Sequence, residues 1–169
     1  MKAIIIYYSK NEKTKIVAET LSEKLNTDII RIEDNKDRNG FKNKLVSSFD
    51  ALRENKTEIS PKRVDLTEYD TVYFGTPVWS GKPSPAIITI IDRCDLKAKD
   101  VVIFATMGSS GGTATLDRLE EKIKARGGRV IERFTLKTKE KSETKLIQDS
   151  EVIAKLLDLS LYQDTNIID

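Results

Sequence analysis

Apolar runs and amphipathic stripes alternate along this chain. "KAIIIYY" (2–8) is a continuous apolar run bounded by polar residues, the pattern of a strand buried on both faces. Residues 15–25 then place Val17, Leu21 and Leu25 on one stripe at four-residue spacing, with Ala18 beside them, and predict an amphipathic helix. "DIIRIE" (28–33) reads as a short strand with charges inside it, and 34–40 as a loop. Phe41, Leu45, Phe49 and Leu52 mark another helical stripe. "TVYFGTPVW" (71–79) begins as a buried strand and is expected to break at Gly75 and Pro77. Ser84 as a cap and Pro85 at the first helical position open a short helix over 84–93. A buried strand (100–108) comes next. A helix (113–128) follows, with Leu116, Leu119 and Ile123 inward and a stop at Gly127. A charged strand (129–138) and a last amphipathic helix (143–161) complete the pattern.

Five βα units in succession, with no linker or repeat, imply a single α/β domain over 1–169: a parallel sheet covered by helices on both faces, three layers in all. The runs at 2–8, 71–75 and 101–105 are almost wholly apolar and belong at the centre. Those at 28–33 and 129–137 carry Arg31, Glu33, Glu132 and Arg133 and belong at the edges. Right-handed crossovers then give the doubly wound order 2-1-3-4-5. Open sheets of this kind take ligands outside the carboxyl ends of the strands, at the switch point.

Three loops at that edge have unusual chemistry, and each follows a central strand. In "SKNEKT" (9–14), the loop of Ser9, Lys10, Asn11, Glu12, Lys13 and Thr14, the amides of a helix start point at one spot and Ser9, Asn11 and Thr14 add hydroxyl or amide donors, which suits a phosphate. The same residues are also ordinary helix caps. "GTPVWSGKPS" (75–84) carries the only tryptophan, so the loop Thr76, Pro77, Val78, Trp79, Ser80 and Gly81 borders a ligand, with the Trp79 indole as a stacking face; the alternative is an indole tucked into the core. "TMGSSGGT" (106–113) lets backbone approach a ligand closely at Thr106, Met107, Gly108, Ser109 and Gly111, or simply connects strand to helix. Together the loops match a planar mononucleotide, and flavin mononucleotide (FMN) fits best.

Composition narrows the chemistry. The chain has no histidine, so no Ser-His or Cys-His nucleophile exists and the usual zinc sites are not expected. One cysteine, Cys94, forbids an internal disulfide and fits a reducing cytoplasm. It falls between the third helix and the fourth strand, away from the three loops, and is expected to be structural. Net charge is +2, with lysines interleaved among acids, which argues against a nucleic-acid partner. The apolar run at the start is too short to span a membrane.

The sequence resembles the flavodoxin family, in its single-domain, short-chain form, over nearly the whole chain. The resemblance rests on "YYSKNEKT", on "YDTVYFGTPVW" (69–79) and on "FATMGSSGG" (104–112). The strand order and switch-point site are those known for flavodoxin itself. The family's phosphate loop is matched at Ser9 and Thr14, with Asn11 in place of a hydroxyl. It departs at Glu12, where glycine is usual, and at Lys13, where asparagine is usual. A carboxylate at Glu12 repels a phosphate unless it turns away, and Lys10 and Lys13 stand nearby to offset it. The resemblance implies an FMN-binding electron carrier, working with redox partner proteins or a small-molecule acceptor. An FMN-dependent NAD(P)H:quinone-type reductase and a flavin-free binding module are the alternatives. The family's acidity is missing: the pI is near 8.5.

Overall fold

The computed structural model describes residues 1–36 and 57–165, with side chains to 160. Within them the chain forms β1 (Ala3–Tyr7), α1 (Lys13–Leu25), β2 (Asp28–Arg31), β3 (Glu33–Asp34), β4 (Ile59–Ser60), β5 (Thr71–Trp79), β6 (Lys82–Pro83), α2 (Pro85–Arg93), β7 (Asp100–Met107), α3 (Gly112–Ala125), β8 (Arg129–Lys137) and α4 (Glu143–Thr165). The stripe at Phe41–Leu52 lies outside the described residues.

The main sheet runs β2-β1-β5-β7-β8, all parallel. This is the 2-1-3-4-5 order expected from strand polarity. Side chains alternate across each central strand, so the sheet builds two cores. Ile4, Ile6, Val72, Phe74, Val101 and Ile103 meet Ile87, Ile91, Leu116, Leu119 and Ile123 of α2 and α3. Ile5, Tyr7, Tyr73, Val102 and Phe104 meet Val17, Leu21, Leu146 and Leu157 of α1 and α4. Burial pushes the Tyr73 phenol up to about 12 and the Cys94 thiol up to about 11. Cys94 caps the C-terminus of α2, buried, so its thiolate is scarce and its sulfur shielded.

Two expectations need correction. The strand at 71–79 does not break: β5 is continuous through Gly75 and Pro77. Gly75 O accepts from Tyr8 N, so Pro77, two residues on, faces the same side, where β1 has already ended. Its missing donor leaves no ladder bond unmade. The charged segment 28–33 is also not one strand. It divides at Ile32, and Glu33–Asp34 pairs antiparallel with Ile59–Ser60.

Candidate functional site

The ends of β1, β5 and β7 frame a cleft of about 420 Å³, lined by Lys10, Asn11, Lys13, Pro77, Val78, Trp79, Thr106, Met107, Gly108 and Thr138. Ligand pockets generally fall in this size range. Among the described residues, its ionisable lining groups are the two lysines.

Its first wall is the β1–α1 loop. Helix α1 starts after Glu12, which takes a left-handed conformation (φ 65°) and gives no side-chain cap; α3 starts after Gly111 in the same way (φ 88°). By contrast α2 is capped by Ser84, whose hydroxyl accepts from Ile87 N. The two helices that open beside the cleft thus keep first-turn amides without a side-chain acceptor. Ser9 is only 3% exposed, and its Oγ has no hydrogen-bond partner among the described residues. A buried hydroxyl left so is unfavourable unless something else fills its need. Thr14 Oγ1 is 2.7 Å from Thr106 Oγ1. If Thr106 donates, the Thr14 proton remains for another acceptor.

Glu12 is handled differently from the expectation. Its carboxylate pairs with Lys15 Nζ at 2.9 Å and Arg31 at 3.2 Å, and the Lys15 bond followed by the Arg31 charge holds its carboxyl below the usual range. Arg31 also donates to Ser9 O at 2.9 Å. The carboxylate is therefore drawn toward β2, and the same guanidinium steadies the loop. Lys10 lies over the indole of Trp79, 5.7 Å from the ring centroid. Lys13 donates to Lys141 O at 3.4 Å.

The second wall is a hairpin. Trp79 pairs with Lys82 across β5 and β6, and Ser80 (φ 51°) and Gly81 (φ 72°) make the turn. Both φ values are positive, as in the type I′ turn that suits a twisted two-stranded ribbon. Trp79 is half-buried against the core and meets Tyr8 edge-on, with centroids 5.5 Å apart and planes at 90°. It is neither a free loop residue nor a core residue: Tyr8 fixes it as a wall.

The third wall follows β7. A Cβ on Gly111 would come within 3.0 Å of Gly81 Cα and Val78 Cγ1, so the second and third loops are packed against each other. The Met107 carbonyl accepts from Thr138 N at 2.8 Å and Thr138 Oγ1 at 3.2 Å. Gly108 and Ser109 are exposed beyond it.

The structure thus brings Lys10, Asn11, Lys13, Pro77, Val78, Trp79, Thr106, Met107 and Gly108 to one cleft. Ser9 and Thr14 are buried in the loop beside it. Thr76 points elsewhere: it is fully buried, and its Oγ1 bonds the N and Oγ of Ser84. Glu12, Ser80, Gly81, Ser109 and Gly111 shape or flank the loops rather than line the cleft. Tyr8, Arg31 and Thr138 were not among the sequence candidates. Thr138 directly follows the fifth strand of the sheet and so lies at the ligand edge; its position was the one signal available.

The flavodoxin family model matches residues 2–147, and the chain belongs to that family. It is 26% identical to an uncharacterized protein of Methanocaldococcus jannaschii over 139 residues, 81% of this chain and 75% of the relative. A flavoprotein of Lactobacillus acidophilus NCFM, solved in complex with FMN, is 26% identical with a TM-score of 0.69, over 79% of this chain and 92% of that one. Oxidised flavodoxin 1 of Bacillus cereus shares the fold at 20% identity and a TM-score of 0.55, over 90% of this chain and 97% of that one. Among the described residues, no helix is long and apolar enough to cross a membrane.

Proposed function

We propose that this protein binds FMN in the cleft and acts as an electron carrier. The observation that carries the reading is the buried Ser9 hydroxyl, without a partner among the described residues, beside the start of α1, which has no side-chain cap. Ser9, Thr14 and the first amides of α1 offer donors to a phosphate, and the helix dipole adds to their pull. Trp79, held by Tyr8, offers a flat apolar face to a ring. The backbone of 106–109 supplies polar groups at the cleft's third side. When bound, FMN supplies one- and two-electron redox chemistry of its own. The chain's part is to hold and shield it; among the described residues the lining includes no carboxylate suited to acid–base work, and the chain has no histidine.

Titrating the cofactor-free protein with FMN tests this. Tryptophan fluorescence is expected to fall as FMN binds, because Trp79 is the only indole. Trp79→Ala should weaken binding by about 1 kcal/mol or more. Absence of quenching would remove the stacking role, and absence of binding would remove the flavin reading. Sustained NADH or NADPH oxidation with a quinone would replace the carrier with a reductase.

Glu12→Gly should leave FMN affinity within a few-fold of the parent or raise it. Glycine relieves a left-handed backbone worth about 1–2 kcal/mol, and the exposed ion pairs it removes are each worth less than about 1 kcal/mol. A loss of more than tenfold at both low and high salt would show that the Glu12–Arg31 contact organises the loop.

A further inference from the structure

The turn after β8 closes the cleft from a fourth side, and it is tied to two of the walls already described. Thr138 opens that turn and lines the cleft. Its amide and its hydroxyl both donate to the Met107 carbonyl, at 2.8 and 3.2 Å. Thr138 O in turn accepts from Lys141 N at 3.3 Å. Lys141 is anchored on α4 through Asp149, at 2.6 Å, and its carbonyl accepts from Lys13 at the start of α1. Thr138 is therefore not a loose side chain at the rim. Its hydroxyl is held against one carbonyl, and that carbonyl belongs to the cleft's third wall.

The Met107 carbonyl fixes the peptide that follows it. A trans peptide is planar and sends its C=O and N–H to opposite sides. Met107 O points across to the end of β8, so the Gly108 N–H points the other way, toward β5. There the ladder has already ended: the last β5–β7 pair is Pro77 with Thr106. Among the described residues, Gly108 N–H makes no backbone hydrogen bond, and the space beside its Cα is open. Gly108 itself lines the cleft. The third loop thus offers a donor on the side of the Trp79 hairpin, and the Met107 carbonyl is turned away from it.

We propose that Thr138 is a positioning residue for the redox balance of the bound flavin, acting through the Met107–Gly108 peptide. The proposal rests on the flavin reading above. Two electrons and one proton convert the oxidised flavin to its anionic reduced form. An N–H aimed at the ring's polar edge favours the more negative form, and a carbonyl there would disfavour it. A hydrogen bond accepted by a peptide's C=O also strengthens donation by its N–H. The Thr138 hydroxyl therefore adds to the pull of Gly108 as well as to its alignment. Without that hydroxyl, the Thr138 amide would fill only one of the two acceptor positions of Met107 O.

The test compares Thr138→Ser, Thr138→Val and Thr138→Ala with the parent protein, all loaded with FMN and reduced by dithionite against a redox dye. The serine variant should keep the parent's midpoint potential. The valine and alanine variants should both move it to more negative values, as the preference for reduced over oxidised FMN falls about threefold, roughly 15 mV for a two-electron couple. In the isotope-labelled protein, FMN should move the Gly108 amide proton downfield, and less so in the valine variant. A merely structural role would weaken both oxidation states alike, lower the melting temperature and leave the potential in place. An absent or positive shift in the valine and alanine variants, a serine variant shifted as far as they are, or a shift confined to the smaller alanine would overturn the proposal. So would a Gly108 amide that does not respond to FMN. A parent protein that takes up no FMN fails earlier, at the titration, and removes the flavin reading together with this role.

Discussion

Replacing Gly75 with alanine should destabilise the protein by about 3 kcal/mol, lowering the melting temperature by roughly 10 °C. Gly75 sits in central strand β5, directly opposite Phe104 of β7. A Cβ there would lie 2.3 Å from Cζ of the Phe104 ring. The ring cannot swing aside freely. It is fully buried, and it stacks on Phe134 with centroids 5.4 Å apart and planes 5° from parallel. The tip of the phenyl ring fills the space that a side chain at position 75 would need. Thermal melts of Gly75→Ala, Phe104→Leu and the double variant check this. The second change should recover part of the loss, since the pair is in contact. A single variant within about 0.5 kcal/mol of the parent would show that Phe104 repacks without strain. The site should feel the change too, because Pro77–Trp79 and Thr106–Met107 continue the same two strands into the cleft.

Gly75 also explains where sequence reading stopped short. The central strands were legible because they are buried on both faces, which leaves an uninterrupted apolar run. The edge strands were legible because their charges can reach water. Ser84–Pro85 announced α2 through a cap and a preset φ, both of which the structure shows. Gly75 and Pro77 suggested a break because glycine and proline usually weaken strands. Here one makes room for a neighbour's ring, and the other faces a side where pairing has ended. Both facts depend on the adjacent strand and are absent from local composition. The Ser80–Gly81 turn went unread for the same reason: once the strand was taken to end early, no ribbon remained for a turn to close.

The site divides along similar lines. Chain order fixed which loops meet, because strand ends of a 2-1-3-4-5 sheet converge whatever their side chains. Side-chain direction was not legible. Thr76 looked like a cleft residue by position, yet alternation sends it into the core toward Ser84. Glu12 looked like a neighbour of Lys10 and Lys13, yet its partners are Lys15, one helical turn along, and Arg31, on another strand. Arg31 itself seemed only an edge charge. Its contact with Ser9 O depends on the parallel β1–β2 register, which aligns Tyr7 with Arg31.

Ser9→Ala should move stability and ligand affinity in opposite directions. In the cofactor-free protein, the Ser9 hydroxyl is buried without a partner among the described residues. Removing it leaves an apolar methyl of nearly the same shape, so the unliganded protein should become more stable, by about 1 kcal/mol. With FMN the sign reverses. A hydrogen bond to a charged phosphate is worth about 1.5–3 kcal/mol, so affinity should fall by about tenfold or more. Combining Ser9→Ala with Thr14→Ala should deepen the loss for FMN, while riboflavin, which lacks the phosphate, should change by less than about threefold. Thr14 differs from Ser9 in one respect: its hydroxyl already meets Thr106. Thr14→Ala alone should therefore lower stability even without ligand. Melting curves with and without FMN, beside titrations with FMN and riboflavin, separate these effects. Equal losses for both ligands would place the effect in the fold of the loop. A cofactor-free Ser9→Ala protein less stable than its parent would show that the hydroxyl is satisfied within the chain, and would remove the main support for a phosphate seat at the start of α1.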